Sequence, residues 1–433
     1  MNPRRRGSSS LFVVGVSILF SQFLSTSVHA QTPEPLHLTR KQAVDEALAR
    51  NPSLIAARAQ VEQARAGVIT AASLGDLSFA ADVAGQSHIF NPGSRNASDQ
   101  SIGLTLPFPG KRSLRRDVAT ADLRAAEFNA TQLRQQVASQ AVEAYDAILV
   151  ARRHREDLQQ SKELASDFVQ KTQARFLGGT VPRVDVIKAQ TDLAQAENDL
   201  ITNERAIATA RASLNRVLGR YGGAPIDATD TLEVPAPIAA IEELEKAAEA
   251  SRPEIAALNA QLQGARLATK LAHQYWLPDI AVSLSRNAAD GAPASFTTGI
   301  GFGIPIFFWQ HKQGELAAAI HREEELTANI ADIRAQVSFD AQTAYANAST
   351  ALRQAAFIRD HLLPEAREVY RVASVSYGLG GSSALDLLDA KRTLLAAESQ
   401  YVDTLGAAND ALAALELAIG APLPPVAPGE KHP

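Results

Sequence analysis

The chain has no cysteine among its 433 residues. That excludes disulfides, thiolate metal ligands, a cysteine nucleophile and acylation of a cysteine at a mature N-terminus. It has one methionine and nine scattered histidines, so there is no series of soft ligands and no metal or other cofactor is implied. Past residue 30 no apolar run is long enough for a helical membrane span, which excludes one; any insertion into a bilayer must use strands. There is no phosphate-binding glycine loop and no nucleophile elbow, and His321-Arg322-Glu323-Glu324-Glu325 lacks the second histidine of a zinc-protease helix. An enzyme is therefore not expected. Aromatic residues are sparse at 6%, and the 46% hydrophobic content is rich in alanine, a balance that suits long helices better than a compact core.

Glycine and proline are also absent locally. The whole stretch from Lys111 to Leu177 contains neither. Apolar side chains recur there in mixed steps of three and four at Leu133, Val137, Ala141, Ala144, Tyr145, Ile148 and Ala151. An unbroken helix of this length spans about 100 Å at roughly 1.5 Å per residue. Its stripe is rich in alanine and its other face is polar (Arg134, Gln135, Gln136, Arg152, Arg153, Arg155), the pattern of a coiled-coil stave.

Residues 1–30 read as a secretory leader: Arg4, Arg5 and Arg6, an apolar run from Leu11 to Phe20, then Val28 and Ala30 before a cut at Gln31. Its removal deletes three arginines and no acid, so the net charge moves from −5 to −8. A mildly acidic exported chain is not a nucleic-acid binder.

The sequence matches itself at an offset of 198 to 201. Asn51 to Ala56 returns as Arg252 to Ala257, and Ile102 to Pro107 returns as Ile300 to Pro305. Phe176 to Glu197 aligns with Tyr377 to Glu398, pairing Gly179 with Gly380 and Asp185 with Asp386. Three collinear matches argue for duplication. The expected layout is a leader over 1–30, a first repeat over 31–218, a linker over 219–237, a second repeat over 238–420 and a disordered tail over 421–433. Within the first repeat we expect helices over 39–73, strands over 78–90 and 101–108 joined by the turn-forming residues 91–96, and a helical hairpin over 111–218. In the second we expect helices over 238–276, strands over 280–286 and 296–307, and a hairpin over 314–420 that Pro364 kinks or opens.

Four strands apolar on one face match membrane-spanning strands, but four cannot close a barrel. Two chains would give eight strands and a filled interior; three would give twelve and a lumen. Tyr275, Trp276, Phe307, Phe308 and Trp309 sit at helix–strand junctions, where an aromatic girdle would lie; ordinary junction packing explains them too.

The leader, the duplicated helix-strand-strand-helix order, and above all Ser376-Tyr377-Gly378-Leu379-Gly380 followed by Leu385-Asp386-Leu387-Leu388-Asp389-Ala390 resemble the TolC-like outer-membrane factors of Gram-negative efflux and type I secretion systems. Parts of the chain look most like the heavy-metal branch represented by CusC and CzcC. The resemblance covers about Leu38 to Gly420. It implies a mainly helical protomer with membrane β-structure, and a homotrimer with a twelve-stranded β-barrel in outer-membrane lipid above a long α-helical barrel in the periplasm. It also implies a periplasmic adaptor (membrane fusion protein) and an inner-membrane pump as partners, and a passive exit duct as function. By motif position, Asp386 and Asp389 match the family's aspartate ring, Tyr377 its tip tyrosine and Asp185 the acidic partner in the first hairpin. Ser382 stands where the family often has a basic residue, which leaves an ion-pair lock there without its cation; Arg183 is the nearest substitute in sequence. A second reading of Asp386 is purely structural, since Ser383 with an acid three residues later is an N-cap pattern. Two alternatives stand beside the efflux duct. One is a periplasmic coiled-coil adaptor, which would carry one hairpin where this chain has two; the other is a type I protein-secretion duct, which sequence does not separate from an efflux duct.

Overall fold

A computed structural model describes residues 35–83, 98–235, 238–288, 293–303 and 308–423. The leader with Val28, Ala30 and Gln31, the turn 91–96 and residues 424–433 of the tail lie outside the described residues. The first half runs β1 (Leu36–Leu38), α1 (Arg40–Arg50), α2 (Pro52–Ala72), β2 (Leu77–Val83), β3 (Ser98–Leu106), α3 (Lys111–Leu177) and α4 (Arg183–Val217). The second runs β4 (Ile226–Ala228), α5 (Ile241–Ser251), α6 (Pro253–His273), a 3-10 turn (Gln274–Trp276), β5 (Ile280–Ala288) and β6 (Ser295–Phe302). It closes with α7 (Phe308–Phe357), a π-helical turn (Ile358–Leu362), α8 (Leu363–Leu379) and α9 (Ala384–Ile419).

Local chemistry explains most boundaries. Thr39 opens α1 with a complete capping box: its hydroxyl accepts from the Gln42 N–H, and the Gln42 side chain accepts from the Thr39 N–H. Asn51 caps α2, whose first residue is Pro52. The uninterrupted helix expected over Lys111 to Leu177 forms over those residues. Its counterpart is broken. Pro364 has no N–H to donate back, and the chain absorbs the missing bond in the π-helical turn just before it, dividing the second long helix into α7 and α8.

Strands β2-β3-β5-β6 form one antiparallel sheet in that order, joining the two halves through β3 and β5. Its strand limits differ from those of the periodicity reading, while the alternation agrees. β3 starts at Ser98 and stops at Leu106, and β5 continues to Ala288, because each is paired along its whole length with the other, from Ser98↔Ala288 to Leu106↔Ile280. β2 ends at Val83 and β6 at Phe302; residues 84–97 and 304–307 lie outside the described residues. One face carries Leu77, Phe79, Ile102, Leu104, Val282, Leu284, Ile300 and Phe302; the other carries Ser78, Gly103, Ser283, Ser285, Gly299 and Gly301. The edges of β2 and β6 have no partner strand among the described residues.

The segment read as a linker contains β4, which pairs in parallel with β1. Three-residue strands have no measurable period, and these two come from opposite halves of the chain, so nothing local announces them. This pair is strapped to the middle of α3. The buried Tyr145 hydroxyl lies 2.9 Å from the Leu38 carbonyl and accepts the Asp230 N–H at 3.2 Å. Arg152 donates to the Ala228 carbonyl. The Arg40 guanidinium holds Asp146 Oδ1 at 2.6 Å; Asp146 is 1% exposed, and burial pushes its carboxyl up to about 6 despite that cation. Around this strap Leu38, Ala47, Val137, Ala141, Ile148, Leu214 and Ile226 form a core. Further along α3, Gly406 lets α9 approach so closely that a Cβ there would stand 2.6 Å from Val150.

Candidate functional site

The motif residues gather at the ends of two hairpins, α3–α4 and α8–α9. In each turn one glycine adopts the left-handed conformation that side-chain-bearing residues avoid, Gly179 at φ 71° and Gly380 at φ 82°, and these are the two that the internal self-match pairs. Thr180 N–H then bonds to the Arg175 carbonyl and Gly381 N–H to the Ser376 carbonyl, closing both helix ends in the same way.

Within the chain the two hairpins dock on one another through an apolar cluster of Phe168, Ala189, Tyr377, Ala384, Leu387 and Leu388. Tyr377 is its keystone, 2% exposed. Its ring meets Phe168 edge-on at 5.4 Å, its hydroxyl is 3.0 Å from the Thr172 hydroxyl, and the Arg175 guanidinium carbon lies 4.6 Å from its ring centroid. Arg175 also donates to the Tyr377 carbonyl at 2.6 Å. Further up the helices, the Lys391 ammonium donates to Asp192 Oδ2 at 2.6 Å, with Lys391 only 4% exposed. A buried ion pair thus ties α4 to α9.

The acidic residues are placed differently. Asp386 is exposed and serves its own helix: its carboxylate accepts the Ser383 N–H at 2.9 Å and the Ser383 hydroxyl at 2.8 Å. The backbone bond first, then the hydroxyl, hold that carboxyl below its ordinary value. Asp389 is exposed, and its carboxylate has no partner among the described residues. Asp185 is half-buried in the first turn of α4, with the Lys188 ammonium at 3.7 Å. Asp185, Asp386, Asp389 and Tyr377 do not bond to one another within one chain. Ser382 donates to the Ala373 carbonyl at 3.4 Å, and Arg183 is exposed with no ion pair among the described residues.

Sequence reading missed Arg175, Thr172, Asp192 and Lys391. One signal was available: Lys391 lies among Leu387, Leu388, Ala390 and Leu394 on the apolar side of α9, where a cation must find an anion. At the other end of the helices, Trp276 is 61% exposed. Phe307 and the side chains of Tyr275, Phe308 and Trp309 lie outside the described residues. Among the described residues no three His, Asp or Glu side chains come together as a metal site, and no helix is long and apolar enough to cross a membrane.

The family model for the outer membrane efflux protein matches residues 43–220 and 244–421, two segments whose spacing repeats that of the internal self-match. The cobalt-zinc-cadmium resistance protein CzcC of Cupriavidus metallidurans is 25% identical over 327 residues, covering 76% of this chain and 78% of that one. Among solved structures, the outer-membrane channel OprN matches with a TM-score of 0.75 at 20% identity, over 88% of this chain and 90% of that one. CusC matches at 0.75 and 18%, over 88% and 92%. The outer membrane protein VceC of Vibrio cholerae matches at 0.74 and 20%, over 88% and 96%. The fold is that of the TolC-like channels.

Proposed function

The chain belongs to the outer membrane efflux protein family, whose members are channels and not enzymes, and from that premise we propose that it forms the passive, trimeric exit duct of a tripartite efflux system. The observation that carries this reading is the four-stranded sheet, apolar on one face and small or polar on the other, with neither edge paired among the described residues. In a bilayer such edges must be closed. Three copies supply twelve strands and a lumen lined by the Ser- and Gly-rich face. The helical hairpins then extend into the periplasm, where their tips meet a periplasmic adaptor and an inner-membrane pump. The leader over residues 1–30 directs export.

Asp386 and Asp389 form the constriction in this reading, with Asp185 and Tyr377 beside it. A threefold axis brings like carboxylates together, an upward push on their pKa values that opposes the capping bonds lowering Asp386 within one chain, and creates a negative potential that favours cations. Similarity to CzcC supports cobalt, zinc and cadmium ions as the cargo, with selection left to the pump. Two measurements test the proposal. Outer-membrane recovery of the full chain at three times the protomer mass in native mass analysis supports the duct; a soluble periplasmic species, or one held at the inner membrane, overturns it in favour of an adaptor. In planar bilayers Asp389→Ala is expected to raise conductance and lower cation preference. It is a cleaner probe than Asp386→Ala, which also removes a helix cap. Unchanged conductance and selectivity in both variants would remove the aspartate ring from the reading.

A further inference from the structure

The four strands of the antiparallel sheet carry three charged residues among those described, and the wall separates them by sign. Asp82 and Asp99 are cross-strand partners on the face of Ser78, Ser101 and Ser283, whereas Arg286 stands on the opposite, apolar face. Its row reads Ala81, Gln100, Arg286 and Phe296 across the four strands, all exposed, with Phe296 at 72%. Below it on the same face come Phe79, Ile102 and Leu284, then Leu77, Leu104, Val282 and Ile300, then Leu106, Ile280 and Phe302. Neither the Arg286 guanidinium nor the Gln100 amide has a hydrogen-bond partner among the described residues.

A guanidinium keeps its charge in any setting, so on a lipid-facing surface it must reach a headgroup or an anion. Three two-residue steps of about 3.3 Å per residue, tilted by about 40°, put it roughly 15 Å above the Leu106–Ile280–Phe302 row. That is at the strand ends remote from the helices. A roughly 25 Å apolar band that begins at Trp276 ends near this level. We propose that Arg286, with Gln100 as second donor and Phe296 beside it, binds the phosphate of a phosphorylated glycolipid in the outer leaflet. The inference rests on the membrane-barrel reading. Arg matches a phosphate with two parallel N–H donors, and Lys would do so only as a point charge.

The test uses the full chain extracted from the outer membrane in mild detergent, titrated with bisphosphorylated lipid A and followed by native mass analysis. We expect Arg286→Gln to lower affinity about tenfold, Arg286→Lys less, and enzymatically dephosphorylated lipid A to bind the wild type as weakly as intact lipid A binds Arg286→Gln. Equal binding of the two lipids by the wild type overturns the proposal without relying on any variant. Equal binding by Arg286→Gln and wild type overturns it as well. Competition by inorganic phosphate at millimolar levels would assign the site to free phosphate and overturn the lipid assignment. A wild type that never reaches the outer membrane removes the barrel reading itself.

Discussion

The two hairpin tips match one another in sequence, yet they end their turns by different means. Both place a left-handed glycine at the paired positions, Gly179 and Gly380, and both put an acid in the first turn of the returning helix, Asp185 and Asp386. The difference lies three residues before the acid. Ser383 offers an N–H and a hydroxyl, so Asp386 folds back and completes a capping box; Pro182 offers neither, so Asp185 is left for other partners. The two segments thus share the turn, where glycine is favoured, and differ in the cap. The residue just before each returning helix decides whether the repeated carboxylate is tied down or available.

The largest expected effect comes from what joins the tips. Tyr377→Ala empties the shared cluster and should cost about 3 to 5 kcal/mol, read as a lower thermal midpoint and new protease cleavage at both turns together. Cleavage at one turn alone would mean that the hairpins stand independently. Next in size is the ion pair. Lys391→Met alone leaves Asp192 half-sheltered and unpaired, an expected loss of about 2 to 3 kcal/mol, while adding Asp192→Leu should restore most of it; an additive double variant would rule out coupling.

Smaller effects sharpen the contrast in capping. Ser383→Ala should cost about 1 kcal/mol and bring the Asp386 titration only part of the way back to its ordinary range, because the N–H of residue 383, the larger cause, remains. Because the cap lowers that carboxyl below 3.8, its contribution is complete above about pH 4 and disappears as pH falls through the lowered value. Hydrogen-exchange protection over residues 384–390, compared at pH 5 and pH 3, measures this directly. Pro182→Ser should give the first hairpin the same box with Asp185 and gain about 0.5 kcal/mol, read as a higher thermal midpoint. Smallest of all is the difference expected between the two glycines, which is near zero: Gly179→Ala and Gly380→Ala should each cost about 1 kcal/mol, and unequal losses would show that the turns are not under equal strain.

Much of the long-helix architecture was legible in the sequence because it is written in local terms. The 67-residue helix needed only the absence of breakers and an alanine-rich stripe, Thr39 and Ser383 announced their caps, and the self-match predicted a chain built twice. The strands were legible as elements but not in their limits, since β3 and β5 trim and extend one another across the two halves. The four candidate site residues were nominated by motif. Their bonding was not, because Arg175 and Thr172 meet Tyr377 from the other hairpin.

Sequence by itself determined period, caps, turns and duplication, which depend on neighbours within one or two helical turns or on the chain's likeness to itself. Only the tertiary structure decided that Asp192 pairs with Lys391, that β1 finds β4, and that Asp82 stands across from Asp99 and Arg286 across from Gln100 in the wall. Each of these is settled by packing. It exists once distant segments are brought together, and no local pattern encodes the partner.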